Sequence, residues 1–149
     1  LPDCASGASI VGMTDPQQIA DNYNAIWIEP DPEKRRRMVA EIWAPDALHV
    51  LDPPQEVRET ASGMRMRATF QSRGHAELEQ RVASAYDEFI APGEFTFRGR
   101  DDAQRVGDIV KFHWEMVRKS DGETMGVGLE IVEVDADGLI RRDHQFIES

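Results

Sequence analysis

Between Met125 and Asp135 the chain reads MGVGLEIVEVD, an alternation with a repeat of two residues, which is the period of a strand. One phase carries Met125, Val127, Leu129, Ile131 and Glu133, and the other Gly126, Gly128, Glu130, Val132 and Val134. Glu130 interrupts the second phase. A carboxylate between glycine and valine on a covered face must be paired, protonated or put to use. The two glycines leave room beside it, as where a ligand approaches a backbone closely. The plain alternative is a Glu130 that faces solvent or joins a cross-strand ion pair.

Helices come first and strands last. Thr14-Asp15-Pro16-Gln17 is a helix start, with Thr14 as cap and Pro16 in the first turn. Ile19, Tyr23, Ile26 and Trp27 then share one helical face. Asp31-Pro32 opens a second helix, with Met38, Val39, Ile42 and Trp43 as its buried stripe and Lys34 to Arg37 as its solvated face. Ala44-Pro45-Asp46 ends it. Ala47 to Asp52 reads as a short strand with Leu48, Val50 and Asp52 on one side, stopped by Pro53-Pro54. Residues 55–63 read as a loop and 64–70 as a half-exposed strand. Gly74 opens a third helix running through Ile90. Phe95 to Arg98, then Arg105 to Arg118, alternate as strands. Ser120-Asp121-Gly122 and Asp137-Gly138 are turns around the Met125 strand, and Leu139 to Glu148 is the last strand. This order predicts an α+β fold, three helices packed on one curved, mostly antiparallel sheet.

A chain of 149 residues suits one domain, expected over residues 14–149, with 1–13 a tail or an added remnant. The net charge of -11 argues against nucleic acid and anionic membrane as partners. No apolar run is long enough to span a bilayer. Cys4 is the one cysteine, so no internal disulfide forms, and a cytoplasmic location is the default expectation. His49, His75, His113 and His144 are scattered without metal-ligand spacing, and the GxG of Gly126 and Gly128 opens no helix. Neither a metal nor a cofactor is expected.

Several words of the sequence fall in a familiar order: YNAIWIEPD, EIWAPDALHVLDP, GHAELEQRV, VKFHWEMV and GLEIVEVDADGLIRR. Together they make the chain resemble the SnoaL-like family of the nuclear transport factor 2-like superfamily, with its ketosteroid isomerase and polyketide cyclase relatives. The resemblance implies a cone-shaped α+β barrel around one deep pocket, often dimeric through its sheet. It also implies site residues. The ketosteroid isomerase pattern carries a tyrosine eight residues before the aspartate that opens helix 2, here Tyr23 before Asp31. Its base is an aspartate before proline, here Asp52. Its protonated late-strand acid falls on Glu130. The cyclase pattern has histidine and aspartate on the last strand, where this chain has Asp143 and Gln145.

On this reading Asp52 is a base, and Tyr23 and a neutral Glu130 are hydrogen-bond donors to a developing oxyanion. Trp27, Phe112 and Trp114 supply dry walls for a small apolar or polycyclic molecule, and Asp143 and Gln145 face the same pocket. For each aromatic the alternative is ordinary core. Two carboxyls in one apolar cavity cannot both ionise cheaply, so the Glu130 pKa is expected to rise. Three functions remain open: a proton-transfer isomerase, cyclase or lyase; a binder of a small hydrophobic ligand; and an interaction module. An Asp52 in solvent would put the binder ahead. The apolar row Met125, Val127, Leu129 and Ile131 predicts a homodimer through the outer sheet face.

Overall fold

A computed structural model describes residues 15–148; the expected tail and the expected cap Thr14 lie outside them. Asp15 caps helix α1 (Pro16–Trp27), its carboxylate accepting from the Gln17 N–H at 3.1 Å. Asp31 caps α2 (Pro32–Ile42) in the same way, at 3.0 Å from the Glu33 nitrogen. An aspartate suits both places because it satisfies an N–H that the helix leaves open and faces the positive end of the helix dipole. Strand β1 (Trp43–Leu51), helix α3 (Gln55–Gly63), strand β2 (Phe70–Arg73) and helix α4 (Gly74–Ala85) follow. Helix α4 runs into one π-helical turn, Tyr86–Ile90. The remaining elements are β3 (Phe95–Gly99), β4 (Gln104–Val106), β5 (Ile109–Arg118), β6 (Thr124–Val134) and β7 (Ile140–Glu148).

The strands form one sheet in the order β2-β1-β7-β6-β5-β3, with β4 beside β5. All pairings are antiparallel except β1 with β7, which is parallel. The sheet curves without closing. Tyr23, Ile26 and Trp27 of α1 and Leu78, Val82 and Ala85 of α4 pack against Val110, Phe112, Val132 and Ile140 of the sheet. This is the expected α+β cone, with four helices among the described residues where the sequence suggested three.

The additional helix is α3, which sequence reading leaves as a loop. It is held by its own surface, Gln55 Nε2 donating to Glu59 at 2.6 Å and Thr60 Oγ1 to the Glu56 carbonyl at 2.9 Å. Only Ala61 is buried, so α3 has no apolar stripe to announce it. The expected strand over 64–70 is absent: Met64 and Met66 are exposed, Arg65 takes a positive φ of 58°, and extended pairing begins at Phe70. Ala44-Pro45-Asp46 continues β1 instead of ending α2, at a register irregularity between Trp43 and Leu48 that accommodates the proline. The long strand from Arg105 is split by a turn at Gly107, whose φ of 58° favours glycine. Arg35 departs from the solvated face of α2. It is buried, its Nη1 donating to the Glu29 carbonyl at 2.7 Å and its guanidinium lying 4.6 Å above the Tyr86 ring.

Candidate functional site

The alternation of β6 holds from Gly128 to the end of the strand: Gly128, Glu130, Val132 and Val134 are buried, with half-buried residues between them. Sheet register then builds a polar cluster on this inner face. Glu130 lies opposite Gln145, Val132 opposite Asp143, and Asp143 opposite His49 of β1. Glu130, Asp143 and His49 are all buried, and Tyr23 reaches them from α1. Trp114 Nε1–H donates to Glu130 Oε1 at 2.8 Å. His49 Nε2 lies 3.0 Å from Gln145 Oε1 and 3.8 Å from Asp143 Oδ2. With the amide oxygen as acceptor, Nε2 carries the proton.

Several polar atoms of the cluster have no hydrogen-bond partner of ordinary geometry among the described residues: Glu130 Oε2, both Asp143 oxygens and the Tyr23 hydroxyl. Among the same residues no Lys or Arg is paired with either carboxyl. Burial pushes Glu130 well above its ordinary pKa; the adjacent Asp143 pushes it further, and the Trp114 N–H, with the Tyr23 hydroxyl nearby but outside ordinary hydrogen-bond geometry, only opposes this. Burial also raises Tyr23, with Asp143 and Glu130 adding to the rise, so the phenol keeps its proton. Glu130 is therefore the carboxyl of the two that burial and its neighbour push toward the protonated form. His49, Glu130 and Asp143 bring ligand-type atoms within 4.8 Å of one another. His49 Nε2 is at the same time engaged by Gln145 Oε1.

A cavity of about 600 Å³ opens above the cluster. Tyr23, Glu130 and Gln145 reach it from the deep side, and Trp27, Phe89, Phe97 and Trp114 form walls. The π-helical turn brings Phe89 to this wall, where it packs on Phe97 at 6.1 Å between ring centres. At the mouth are Asp52, Pro54, Gln55 and Arg58, with Met125 and Ile147 from the strand ends.

Of the residues singled out from sequence, Tyr23, Trp27, Trp114, Glu130 and Gln145 line this cavity. Asp143 is buried in the cluster without reaching the cavity lining. Phe112 is core: its ring packs against Tyr23 at 5.2 Å and is not part of the wall. Asp52 lies at the mouth but does not point into a dry interior. Its side chain is 48% exposed and ion-paired with Arg58, itself 50% exposed. The cause is strand phase. Ala47, His49 and Leu51 face inward with the buried Pro53, so Leu48, Val50 and Asp52 take the other side. Both phases of β1 carry two apolar residues, and a histidine gives no local sign that it belongs to the buried one. Sequence reading misses His49 for that reason. The open space expected beside Glu130 is also reassigned: the Trp114 indole fills the place above Gly128, while Gly126 borders the cavity.

No protein-family model matches the chain, and no curated protein matches it. Solved structures do. A SnoaL-like-family protein of Agrobacterium tumefaciens, described as a candidate isomerase, superposes with a TM-score of 0.72 at 23% identity, over 92% of this chain and 100% of that one. A nuclear transport factor 2-like protein of unknown function from Exiguobacterium gives 0.60 at 14% identity, over 88% of this chain and 98% of that one. A candidate polyketide cyclase of Sinorhizobium meliloti gives 0.55 at 14% identity, over 87% and 94%. The chain thus has the α+β fold shared by SnoaL-like and nuclear transport factor 2-like proteins.

Proposed function

We propose that the cavity binds a small, flat, largely apolar molecule by an oxygen function seated between Tyr23 and Glu130. One observation carries this reading: a phenol and a carboxyl, both buried and both with pKa values raised by that burial, face a cavity of about 600 Å³ whose walls are mostly aromatic and aliphatic. That volume lies in the range of sites for drug-sized ligands. Two neutral donors at the end of an apolar slot favour a carbonyl or phenolate oxygen, because it satisfies atoms that otherwise have no partner. The likeness to a candidate isomerase and a candidate cyclase agrees with a small-molecule role. The test is a titration of a bicyclic ketone such as 1-tetralone against its hydrocarbon, tetralin, read by tryptophan fluorescence and calorimetry. The ketone is expected to bind more tightly, with the preference lost in Tyr23→Phe. Equal binding of both, or of neither, would refute the reading.

Proton transfer is the second reading, favoured by the same two donors, which are also placed to stabilise an enolate. Asp52 borders the same cavity but is half in solvent and ion-paired with Arg58 at the mouth, away from a substrate seated at the deep end. The binding reading therefore leads. The readout is exchange of the ketone's α-hydrogens in D2O, followed by NMR. Exchange that disappears in Asp52→Asn would restore Asp52 as base. Absence of exchange above the buffer rate would leave a binder.

A further inference from the structure

The acidic and basic side chains that border the cavity are Asp52, Arg58, Arg81 and Glu130. Asp52 and Arg58 cancel each other in their ion pair. Arg81 is left over. Partly buried on the flank of α4, it makes no salt bridge and no hydrogen bond among the described residues; its one contact of note is with Trp27, its guanidinium 5.5 Å from the indole centre. Glu77, one turn back along α4, is turned instead toward the Arg73 backbone N–H at 3.1 Å. Arg37, Arg65, Arg67 and Arg73 likewise have no acidic partner for their side chains among the described residues, but all four are exposed, whereas Arg81 is partly buried and borders the cavity. Trp27 adds a second unsatisfied donor: it is 8% exposed, borders the cavity, and its Nε1–H has no acceptor among the described residues. A guanidinium stacked on an indole, with both sets of N–H groups free, is a receptor for a planar oxyanion.

We propose that the ligand of this cavity is an organic acid, whose carboxylate is held by Arg81 and the Trp27 N–H while its other oxygen meets Tyr23 and Glu130. This rests on the cavity reading above and narrows it from apolar oxygenated molecules to amphipathic anions. Tyr23 and Trp27 are neighbours on the cavity wall, with ring centres 5.8 Å apart. A two-ring skeleton with oxygen at both ends spans that separation. The carboxylate also takes the place that an acidic side chain fills for some arginines of the surface, such as Arg98 and Arg100 with Glu115.

The experiment compares a tetralone carboxylate with its methyl ester on the full chain, by calorimetry and tryptophan quenching at low and high salt. The acid is expected to bind about tenfold more tightly than the ester, and the advantage to shrink as salt rises. Arg81→Gln should erase the difference by weakening the acid alone. Arg81→Lys should restore part of it, and circular dichroism of both variants checks that they fold. An ester that binds as well as the acid overturns the anion assignment while the cavity reading stands. An advantage of the acid that survives Arg81→Gln overturns it equally. If neither compound binds, the cavity reading fails and the assignment fails with it.

Discussion

Gly128→Ala tests the centre of the site without altering a polar group. A Cβ built on Gly128 would lie 2.1 Å from two indole carbons of Trp114 and 2.5 Å from its Nε1, where ordinary contact begins at 3.4 Å. The neighbour is a large ring locked between β6 and Phe97, 5.4 Å away ring to ring, and not the free end of a flexible chain. Either the indole or the strand must give way. Overpacking of this kind costs about 1–3 kcal/mol. The retreat also breaks the 2.8 Å bond from Trp114 Nε1 to Glu130, worth about 1 kcal/mol more. The expected loss is about 2–4 kcal/mol, or roughly 4–16 °C in Tm for a domain of this size. Urea melts give the free energy, and the tryptophan emission maximum reports the displaced indole. Gly126→Ala is the control. Its nearest neighbour is Met116 Cβ at 3.9 Å, and a strand glycine replaced by alanine gains backbone rigidity, so a change within about 0.5 kcal/mol is expected. A Gly128→Ala protein as stable as the parent with unshifted emission would refute the placement of Trp114 and, with it, the donor to Glu130.

Glu130 should make stability depend on pH. Its folded pKa is raised above the ordinary 4.5, so its contribution is complete below about 4.5 and is lost as pH climbs through the folded value. Glu130→Gln, neutral throughout, should gain on the parent between pH 5 and pH 8 in urea midpoints, and a constant difference would contradict the shift. Tyr23→Phe removes a buried hydroxyl that has no partner among the described residues, so stability should change by less than about 1 kcal/mol while ketone affinity falls about tenfold. We propose that a second copy covers the outer sheet face, where Phe146, 46% exposed, pairs in register with Leu129. Light scattering at micromolar concentration should then give a dimer that Phe146→Asp splits, and a monomeric parent would refute it.

What could be read from the sequence follows what each segment buries. The inward phase of β6 and the α1 face of Ile19, Tyr23, Ile26 and Trp27 were legible because one side of each is apolar and covered. Helix α3 was not, because it buries only Ala61 and is held by hydrogen bonds along its exposed surface. The phase of β1 was not, because Leu48 and Val50 compete with Ala47 and Leu51, and the deciding contacts come from β7. Arg35 was lost inside a basic run whose other members are exposed, and what distinguishes it is the ring of Tyr86, a turn of the chain far away in sequence.

The polar cluster lies at the limit of such reading, because it belongs to no segment. Glu130, Asp143 and His49 sit on three strands and meet only through register, Val132 facing Asp143 on one side and His49 facing it on the other. A slip of one residue along β7 would turn Asp143 and Gln145 outward and bring Arg142 and His144 into the core, so the register and the cluster specify each other. Buried ionisable groups replaced by well-packed apolar ones are often neutral or stabilising. The fold therefore has no energetic need for two adjacent buried carboxyls. What they place beside the cavity is a carboxyl with a raised pKa next to a phenol whose own is raised by burial, the pair on which the proposed binding of an oxygen-bearing ligand rests.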